Sequence, residues 1–223
     1  IAIGYNAMTT NTAGGLQNLA IGNYALQALT SGDGNMALGH NAGYTVTTGS
    51  RNVGLGLSSL ETNNADDNTA VGYNAMNATT TGADNVAVGR DALVANTTGT
   101  RNVAVGKDAL KTSTTTGSNT AIGDNALKLS TSGTYLTAVG AGALDTNTTG
   151  AFNTSVGAVS MDANTTGSYN TALGAAALDA NTDSDNNTAL GAYALSDNST
   201  GSENTAVGME ALKGNTTAED NTA

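Results

Sequence analysis

The sequence predicts an all-β protein, a parallel β-solenoid (β-roll) with about 17 residues per coil and about 13 coils. Three observations indicate this fold: a glycine that returns every 16 to 18 residues, a small–aliphatic pair before each glycine, and an asparagine before the strand in twelve units, with Leu136 as the one interruption. Units of this length are too short for a helix–turn–helix repeat and lack a helical apolar stripe. The recurring glycines are Gly4, Gly22, Gly39, Gly56, Gly72, Gly89, Gly106, Gly123, Gly140, Gly157, Gly174, Gly191 and Gly208.

The segment before each glycine predicts a short strand. In the unit that ends at Gly89, the small residue Ala87 precedes the aliphatic Val88, and the other units repeat this order. Because adjacent strand residues point to opposite faces, one face carries a column of small residues and the other a column of aliphatic residues. Aliphatic residues that we expect in the core or in an interface include Val71, Val88, Val105, Ile122 and Val139.

A strand whose residue types are restricted on both faces is expected to be covered on both faces. The opposite wall of the coil covers one face, and another copy of the chain covers the other, because a thin single solenoid would leave that column in water. The pattern therefore predicts a homo-oligomer. The alternative is that the small residues simply face solvent.

A second recurring pair, typified by Ala92-Leu93, follows each glycine except in the third unit, where Ala42-Gly43 stands instead and we expect a local gap or its filling by Tyr44. Its large member is predicted to fill the coil interior and to stack on its equivalents in the neighbouring coils. The core leucines predicted in this way include Leu93, Leu110 and Leu127.

The asparagine that precedes each strand predicts a hydrogen-bonded ladder along the coils, because stacked identical amides can bond to one another. The alternative is that these amides bind a ligand. The ladder residues that we single out are Asn85, Asn102, Asn119, Asn153 and Asn170.

No composition shift or linker separates one block of units from another, so residues 1–223 are predicted to form one continuous repeat array. Both ends of the sequence fall inside the repeat motif. We therefore expect the array to be part of a longer fibre protein.

Composition argues against several classes of function. A formal charge of −11 with seven lysines and arginines disfavours nucleic acid and anionic membranes. No apolar run reaches the roughly 18 residues of a transmembrane helix, so no membrane insertion is expected within this segment. The single histidine, His40, shares its repeat position with residues as different as Tyr73 and Lys107, and no serine or threonine has a base of its own. We expect neither an enzyme nor a cofactor.

One charged column follows the Ala-Leu pairs. Asp145, Asp162 and Asp179 occupy the same repeat position, so they would lie about 4.8 Å apart in successive coils. A solvated face is the simpler interpretation. The other is a weak site for a divalent cation, which would relieve the repulsion between the carboxylates.

The motifs Asn85–Gly89 and Asn102–Gly106 resemble the head repeats of trimeric autotransporter adhesins, the YadA-like family, whose unit is built around Asn-Ser-Val-Ala-Ile-Gly. The resemblance covers essentially the whole chain. It implies a left-handed parallel β-roll, three identical chains side by side, and an adhesive role outside the cell. The units here are a few residues longer, with an Asn-Thr-Thr-Gly return such as Asn96–Gly99. Similar arrays also look like parts of phage tail fibres.

Two hypotheses follow from these observations. The first is an extracellular structural fibre segment, the shaft or head of a trimeric adhesin or phage tail fibre, which acts as a rigid spacer and attaches to a host surface or matrix ligand. The second is an ice- or mineral-binding solenoid that uses a column of threonines at one position of the later units. That column comprises Thr120, Thr137, Thr154, Thr171, Thr188, Thr205 and Thr222.

Overall fold

A computed structural model describes residues 1–11 and 14–223 of the chain. It confirms an all-β, parallel β-solenoid with about 17 residues per turn, and the described residues contain no helix. The chain forms two compact units, Ile1–Thr115 and Thr116–Ala223. The prediction of a single continuous array over residues 1–223 stays a prediction.

Each turn contributes one short strand to a parallel sheet. The strands of the first unit are β1 (Ala2–Ile3), β2 (Leu19–Ile21), β3 (Met36–Leu38), β4 (Val53–Leu55), β5 (Thr69–Val71), β6 (Val86–Val88) and β7 (Val103–Val105). Those of the second unit are β8 (Thr120–Ile122), β9 (Thr137–Val139), β10 (Thr154–Val156), β11 (Thr171–Leu173), β12 (Thr188–Leu190) and β13 (Thr205–Val207). Within each unit the strands lie side by side in chain order.

The register places each repeat position directly on its equivalent. Ala87 pairs with Ala104 in the first unit, and Ser155 pairs with Ala172 in the second. The pairing also continues outside the strands, where the N–H of Leu93 donates to the carbonyl of Ala109 at 2.9 Å. Strands of three residues are therefore enough to hold the solenoid, because other parts of each turn are also bonded to the neighbouring turn.

The middle residue of each strand points into the coil. Ala87, Ala104 and Ala121 have no exposed surface, whereas the residues on either side of them are half-buried or exposed. The alternative that the small strand residues face solvent is therefore wrong. The aliphatic column lies on the outside of the single chain, and this leaves uncovered the face for which the sequence predicts a partner.

The bends use left-handed backbone at bulky residues, a feature that the sequence pattern does not predict. In the turn that follows β6, Asp91 has a φ of 56° and Leu93 a φ of 51°, and Arg101 before the next strand has a φ of 57°. Each such residue costs about 1–2 kcal/mol relative to right-handed backbone. Leu93 is fully buried, so packing of its side chain offsets this cost.

The unit at Gly43 has a glycine where other turns have leucine or methionine, and the sequence left open a gap there or its filling by Tyr44. The structure shows a small cavity bordered by Leu26, Val46 and Leu60. Tyr44 instead lies outside the coil and packs edge-to-face on Tyr24, with ring centroids 6.1 Å apart.

The glycine after each strand is required by both conformation and space, which gives a first prediction. Gly72 has a φ of 133°, and a Cβ on it would lie 2.6 Å from the carbonyl oxygen of Gly89. Gly82, in the return, has an equally close neighbour, but the preceding turn has Ala65 at that position. We expect Gly72→Ala to lower the free energy of unfolding by about 3 kcal/mol or more and Gly82→Ala by about 1 kcal/mol.

Denaturant unfolding of the two variants beside the unchanged protein measures this difference. If both variants lost the same free energy of unfolding, the close contact alone, and not the backbone conformation at Gly72, would explain why glycine is required there. Thr98→Ala, at an exposed position of the same return, is the control and should unfold like the parent.

Candidate functional site

The strand asparagines form a buried column that ties successive turns together, interrupted at the turn of β9, where Leu136 takes the place of the asparagine. Asn85, Asn102, Asn119, Asn153 and Asn170 are all fully buried. The Oδ1 of Asn85 accepts the backbone N–H of Asn102 at 2.9 Å, and the Oδ1 of Asn153 accepts that of Asn170 at 2.9 Å. The ladder is thus built largely from amide-to-backbone bonds, with amide-to-amide bonds in addition, such as the one from Asn102 Nδ2 to Asn85 Oδ1 at 3.1 Å.

Each strand asparagine also reaches across the coil. The Nδ2 of Asn85 donates to the carbonyl of Gly99 in the return segment at 2.9 Å, and the Nδ2 of Asn153 donates to that of Gly167 at 2.7 Å. One side chain therefore bonds both to the next strand and to the far wall of the coil. With both polar ends used inside the coil, these amides have a structural role.

A second buried asparagine column, not predicted from the sequence, lies in the return segment. Asn147, Asn164, Asn181 and Asn198 are fully buried. Amide-to-amide bonds of 2.8 Å link Asn164 to Asn147 and Asn181 to Asn164. The signal was present in the sequence, because earlier turns place Leu29 and Val46 at this position, and apolar residues there indicate an interior position.

The residues predicted for the core or an interface divide into two groups. Leu93, Leu110 and Leu127 are fully buried inside the coil. The strand residues lie on the outer face, where Ile122 is 41 % exposed. The remaining strand residues of this set, each half-buried, are Val71, Val88, Val105 and Val139.

We call the surface formed by the first and third residue of each strand the outer strand face. Neither position carries a charged residue in any of the described strands, although the chain as a whole has a formal charge of −11. The first position is mostly aliphatic in the first unit and is threonine in every strand of the second unit, whereas the third is aliphatic throughout. Each unit therefore has an uncharged, largely apolar face beside a polar remainder.

Two further columns border the outer strand face. The leading column is the residue before each strand asparagine (or before Leu136, which takes its place in one turn), and the trailing column is the residue after each strand glycine. The leading column includes Arg51, Asp67, Asp84 and Arg101 in the first unit and Tyr135, Phe152 and Tyr169 in the second. The trailing column includes His40, Tyr73, Arg90 and Lys107 in the first unit and Ala141, Ala158, Ala175 and Ala192 in the second.

The leading column of the second unit holds an exposed aromatic stack. The ring of Phe152 lies between those of Tyr135 and Tyr169, with centroids 5.0 Å apart on each side and ring planes within 10° of parallel. The three side chains remain 59 %, 47 % and 59 % exposed in chain order. Rings held so regularly in water form a preorganised surface, because the repeat fixes their spacing.

The aspartates proposed as a weak cation site are half-buried. Burial raises the pKa of Asp145, Asp162 and Asp179, and the charge of Asp162 raises that of both neighbours further. Lys128 opposes the rise at Asp145, whose Oδ1 is buried without a hydrogen-bond partner. Within residues 1–11 and 14–223, no three acidic, histidine or cysteine side chains are arranged to hold a metal ion.

His40 is exposed, and its ring packs edge-to-face on Tyr24 with centroids 5.8 Å apart. In the part of the chain that the structure describes, no helix is long and apolar enough to cross a bilayer. Comparison of the chain with protein-family models, with curated proteins and with solved structures finds no match.

Asp162 in the second unit and Asp108 in the first have opposite pKa shifts. The stability that each carboxylate contributes should therefore change in opposite directions as the pH falls. In the second unit, a raised folded-state pKa means that the stability contributed by Asp162 is full below its unfolded pKa of about 4 and is lost as pH rises through the folded value. In the first unit, burial raises the pKa of Asp108, but the hydrogen bond and charge of Lys111, with Lys107 and Arg90, outweigh it and lower the pKa. That contribution is lost as pH falls.

We therefore expect Asp162→Asn to raise the melting temperature at pH 7 and to reduce the gain in stability between pH 7 and pH 4. The exposed Asp183→Asn is the matched control and should leave both unchanged. Thermal melts at a series of pH values measure the effect. A lower melting temperature for Asp162→Asn at pH 7 would show that the ionised carboxylate stabilises the fold.

Proposed function

We propose that this chain is a segment of an extracellular structural fibre, the shaft or head of a trimeric adhesin or of a phage tail fibre. The observation that carries the proposal is the outer strand face, which is uncharged and largely apolar although the coil interior is already filled by alanine, leucine and asparagine. A monomer would leave this face in water, and contiguous apolar surface of this kind marks an interaction site.

Burial of the outer strand face favours association of identical chains. Full burial of a valine, leucine or isoleucine side chain contributes about 1.5–3 kcal/mol, so covering the exposed part of residues such as Leu173 contributes on the order of 1 kcal/mol each. Each strand adds one such residue, and identical chains in parallel carry the same column at the same spacing. Within each unit the face can therefore supply one contact per turn to a neighbouring copy.

Three chains side by side, each a left-handed coil, are the arrangement implied by the resemblance to YadA-like head repeats. In a closed ring every copy turns its outer strand face inward, and the apolar columns form a shared core. The threonines of the return, such as Thr98 and Thr149, then stay on the outside, where both are exposed in the single chain. This outward surface would contact a host-surface or matrix ligand, and the coils between would act as a rigid spacer.

The second candidate function is binding to ice or to a mineral surface. It is favoured by the threonine column of the second unit, in which Thr137, Thr154 and Thr171 pair in register and point outward. A flat array with one hydroxyl per turn, about 4.8 Å apart, could match a crystal lattice. The neighbouring aliphatic column and the apolar first position of the earlier strands favour the fibre.

The fibre proposal predicts a trimer in solution. Light scattering after size exclusion should give about three times the chain mass of 21.9 kDa. Because Val156 is outward and only half-buried, Val156→Asp should leave the secondary structure intact and abolish the trimer, since assembly would bury an unpaired charge. Thr149→Asp, on the exposed return, is the control and should remain trimeric.

A protein that stays monomeric at high concentration would overturn this proposal. Loss of secondary structure in Val156→Asp would show instead that the outer face contributes to the fold of the single chain. Circular dichroism on the same samples separates the two results.

The alternative function predicts thermal hysteresis. If the threonine column binds ice, the protein should lower the freezing point without lowering the melting point, and Thr154→Leu should remove the effect. We expect no thermal hysteresis, because a trimer covers the column. Clear activity that Thr154→Leu removes would favour the ice-binding function over the fibre.

A further inference from the structure

The stacked rings in the leading column of the second unit have the properties of a binding surface. We call Tyr135, Phe152 and Tyr169 the aromatic ladder. We propose that the aromatic ladder binds a planar aromatic molecule that carries positive charge and lies flat across the edges of the three rings. This site goes beyond the proposed function, because the side chains of one chain form it and no second copy is needed.

The fold of the coil does not explain why aromatic rings occupy this position. The backbone there is left-handed, with a φ of 56° at Tyr135, 58° at Phe152 and 59° at Tyr169. Asparagine, aspartate and glycine adopt this conformation most readily, and Asp84 and Asn186 occupy the position in other turns. Phe152 is the only phenylalanine of the chain, and it is exposed. Apolar rings at exposed positions that do not suit them indicate a contact outside the coil.

The stacking geometry determines what kind of molecule fits the aromatic ladder. Each ring covers a face of its neighbour, since successive centroids lie 5.0 Å apart and the ring planes are within 10° of parallel. The ladder therefore turns ring edges, and not ring faces, toward the solvent along its length. Aromatic edges carry partial positive charge and attract the negative face of another aromatic ring. A flat π system laid along the ladder makes this edge-to-face contact with all three rings at once.

The length of the ladder limits the size of the ligand. The outer ring centroids are separated by two steps of 5.0 Å. Two or three linked rings span this distance, whereas a single ring cannot contact all three side chains. Sugar rings fit less well, because they pack on aromatic faces and the faces inside the ladder are already covered. The structure therefore favours an extended, flat π system over a carbohydrate.

The charge of the second unit favours a cationic ligand. Residues 116–223 include eleven acidic residues and two lysines, so this unit carries −9 of the formal charge of −11. One of the carboxylates lies at the end of the ladder, because the Oδ1 of Asp185 accepts the backbone N–H of Ser168, the residue before Tyr169, at 2.7 Å. Asp185 is exposed, so a positive charge on the ligand can lie beside it while the rings of the ligand lie on the ladder. Planar anions, such as nucleotides, are repelled by the same field.

Fluorescence titration with thioflavin T, a planar cationic dye, tests the site. The fluorescence of the dye should rise on binding, with one dye bound per chain, because the ladder holds its two ring systems in one plane. Phe152→Ala should weaken binding roughly tenfold, since it removes the central edge-to-face contact and interrupts the ladder. The matched control is Tyr193→Ala, which removes an exposed tyrosine of the same unit outside the ladder and should bind like the parent.

A second pair of measurements tests the preference for positive charge. Asp185→Asn keeps an oxygen that can accept the N–H of Ser168 but removes the charge, so it should weaken binding of thioflavin T at low salt. This difference should largely vanish in about 0.5 M salt, where charges are screened over a few ångströms. Anilinonaphthalene sulfonate, a planar anionic dye, should not bind to the ladder. If Phe152→Ala lowered the affinity for both dyes equally, the preference for a cation would be wrong.

Circular dichroism and light scattering on the same samples separate this site from the fold and from the proposed fibre. If Phe152→Ala loses secondary structure, Phe152→Leu makes the same test, because it keeps an apolar side chain without the ring. A folded variant that binds thioflavin T like the parent, or a parent that does not bind it, would overturn the site and leave the fibre proposal intact. Dissociation of a trimer by Phe152→Ala would show that a second copy covers the ladder, and this too would overturn the site. A monomer that binds the dye through the ladder would overturn the fibre alone.

Discussion

The hydrogen bonds made by the buried strand asparagines are the interaction on which the rest of the structure depends. A turn of about 17 residues has a small apolar interior, which in the turn of β6 consists of Ala87, Ala92 and Leu93. Hydrophobic burial of this size cannot hold one turn alone, so turns must hold each other. Asn85 does this twice, since its Oδ1 bonds to the next strand and its Nδ2 bonds to the return segment on the far wall. Because the amide is out of water, loss of either bond would leave a buried polar group unpaired.

The stacking of one turn on the next also determines which side chains can lie on the outside of the coil. Equivalent residues stack at one spacing, so a side chain at any outward position recurs as a column. The interior admits a narrow set of residues, and glycine is required where backbones approach, as at Gly72 beneath the carbonyl of Gly89. Outward positions are free of these limits, and the leading column changes from Asp84 in the first unit to Phe152 in the second. The surface features of such a molecule are therefore columns of equivalent residues and not single side chains.

Much of the fold was predictable from the sequence, because spacing alone fixes the stacking of parallel turns. Residues such as Leu93 could be placed in the interior from their recurrence and size. Which strand face is inside could not be settled by pattern alone, since both the small and the aliphatic columns are unbroken. Volume decides it: a coil wall that already accommodates Leu93 has room for Ala87 and not for a second large residue.

The left-handed backbone and the second asparagine column were harder to predict. Propensity disfavours φ above zero at a leucine, and tertiary packing overrides it only once the coil exists. The chain does carry a signal, because Gly43 and Gly142 occupy positions where other turns have residues with a φ near 50°. Likewise, the Asn-Thr-Thr-Gly return has the composition of a solvated turn, yet Asn164 points inward while Thr166 stays exposed. Asparagine is typical of solvated turns and also forms the buried ladder in this chain, so composition could not distinguish the two roles.

The outer strand face is the physical link between this fold and the proposed fibre. A solenoid with one strand per turn has a single sheet that is narrow, and its inner side is filled by the opposite wall of its own coil. An aliphatic residue at the third strand position is then not needed to fill the interior of a single coil. Every described strand nevertheless ends on one. The same strands exclude charge from both outward positions in a chain with 18 acidic residues. A surface that contributes little to its own coil and keeps charge out is what the proposed fibre would cover, since a second copy would carry the same column at the same spacing.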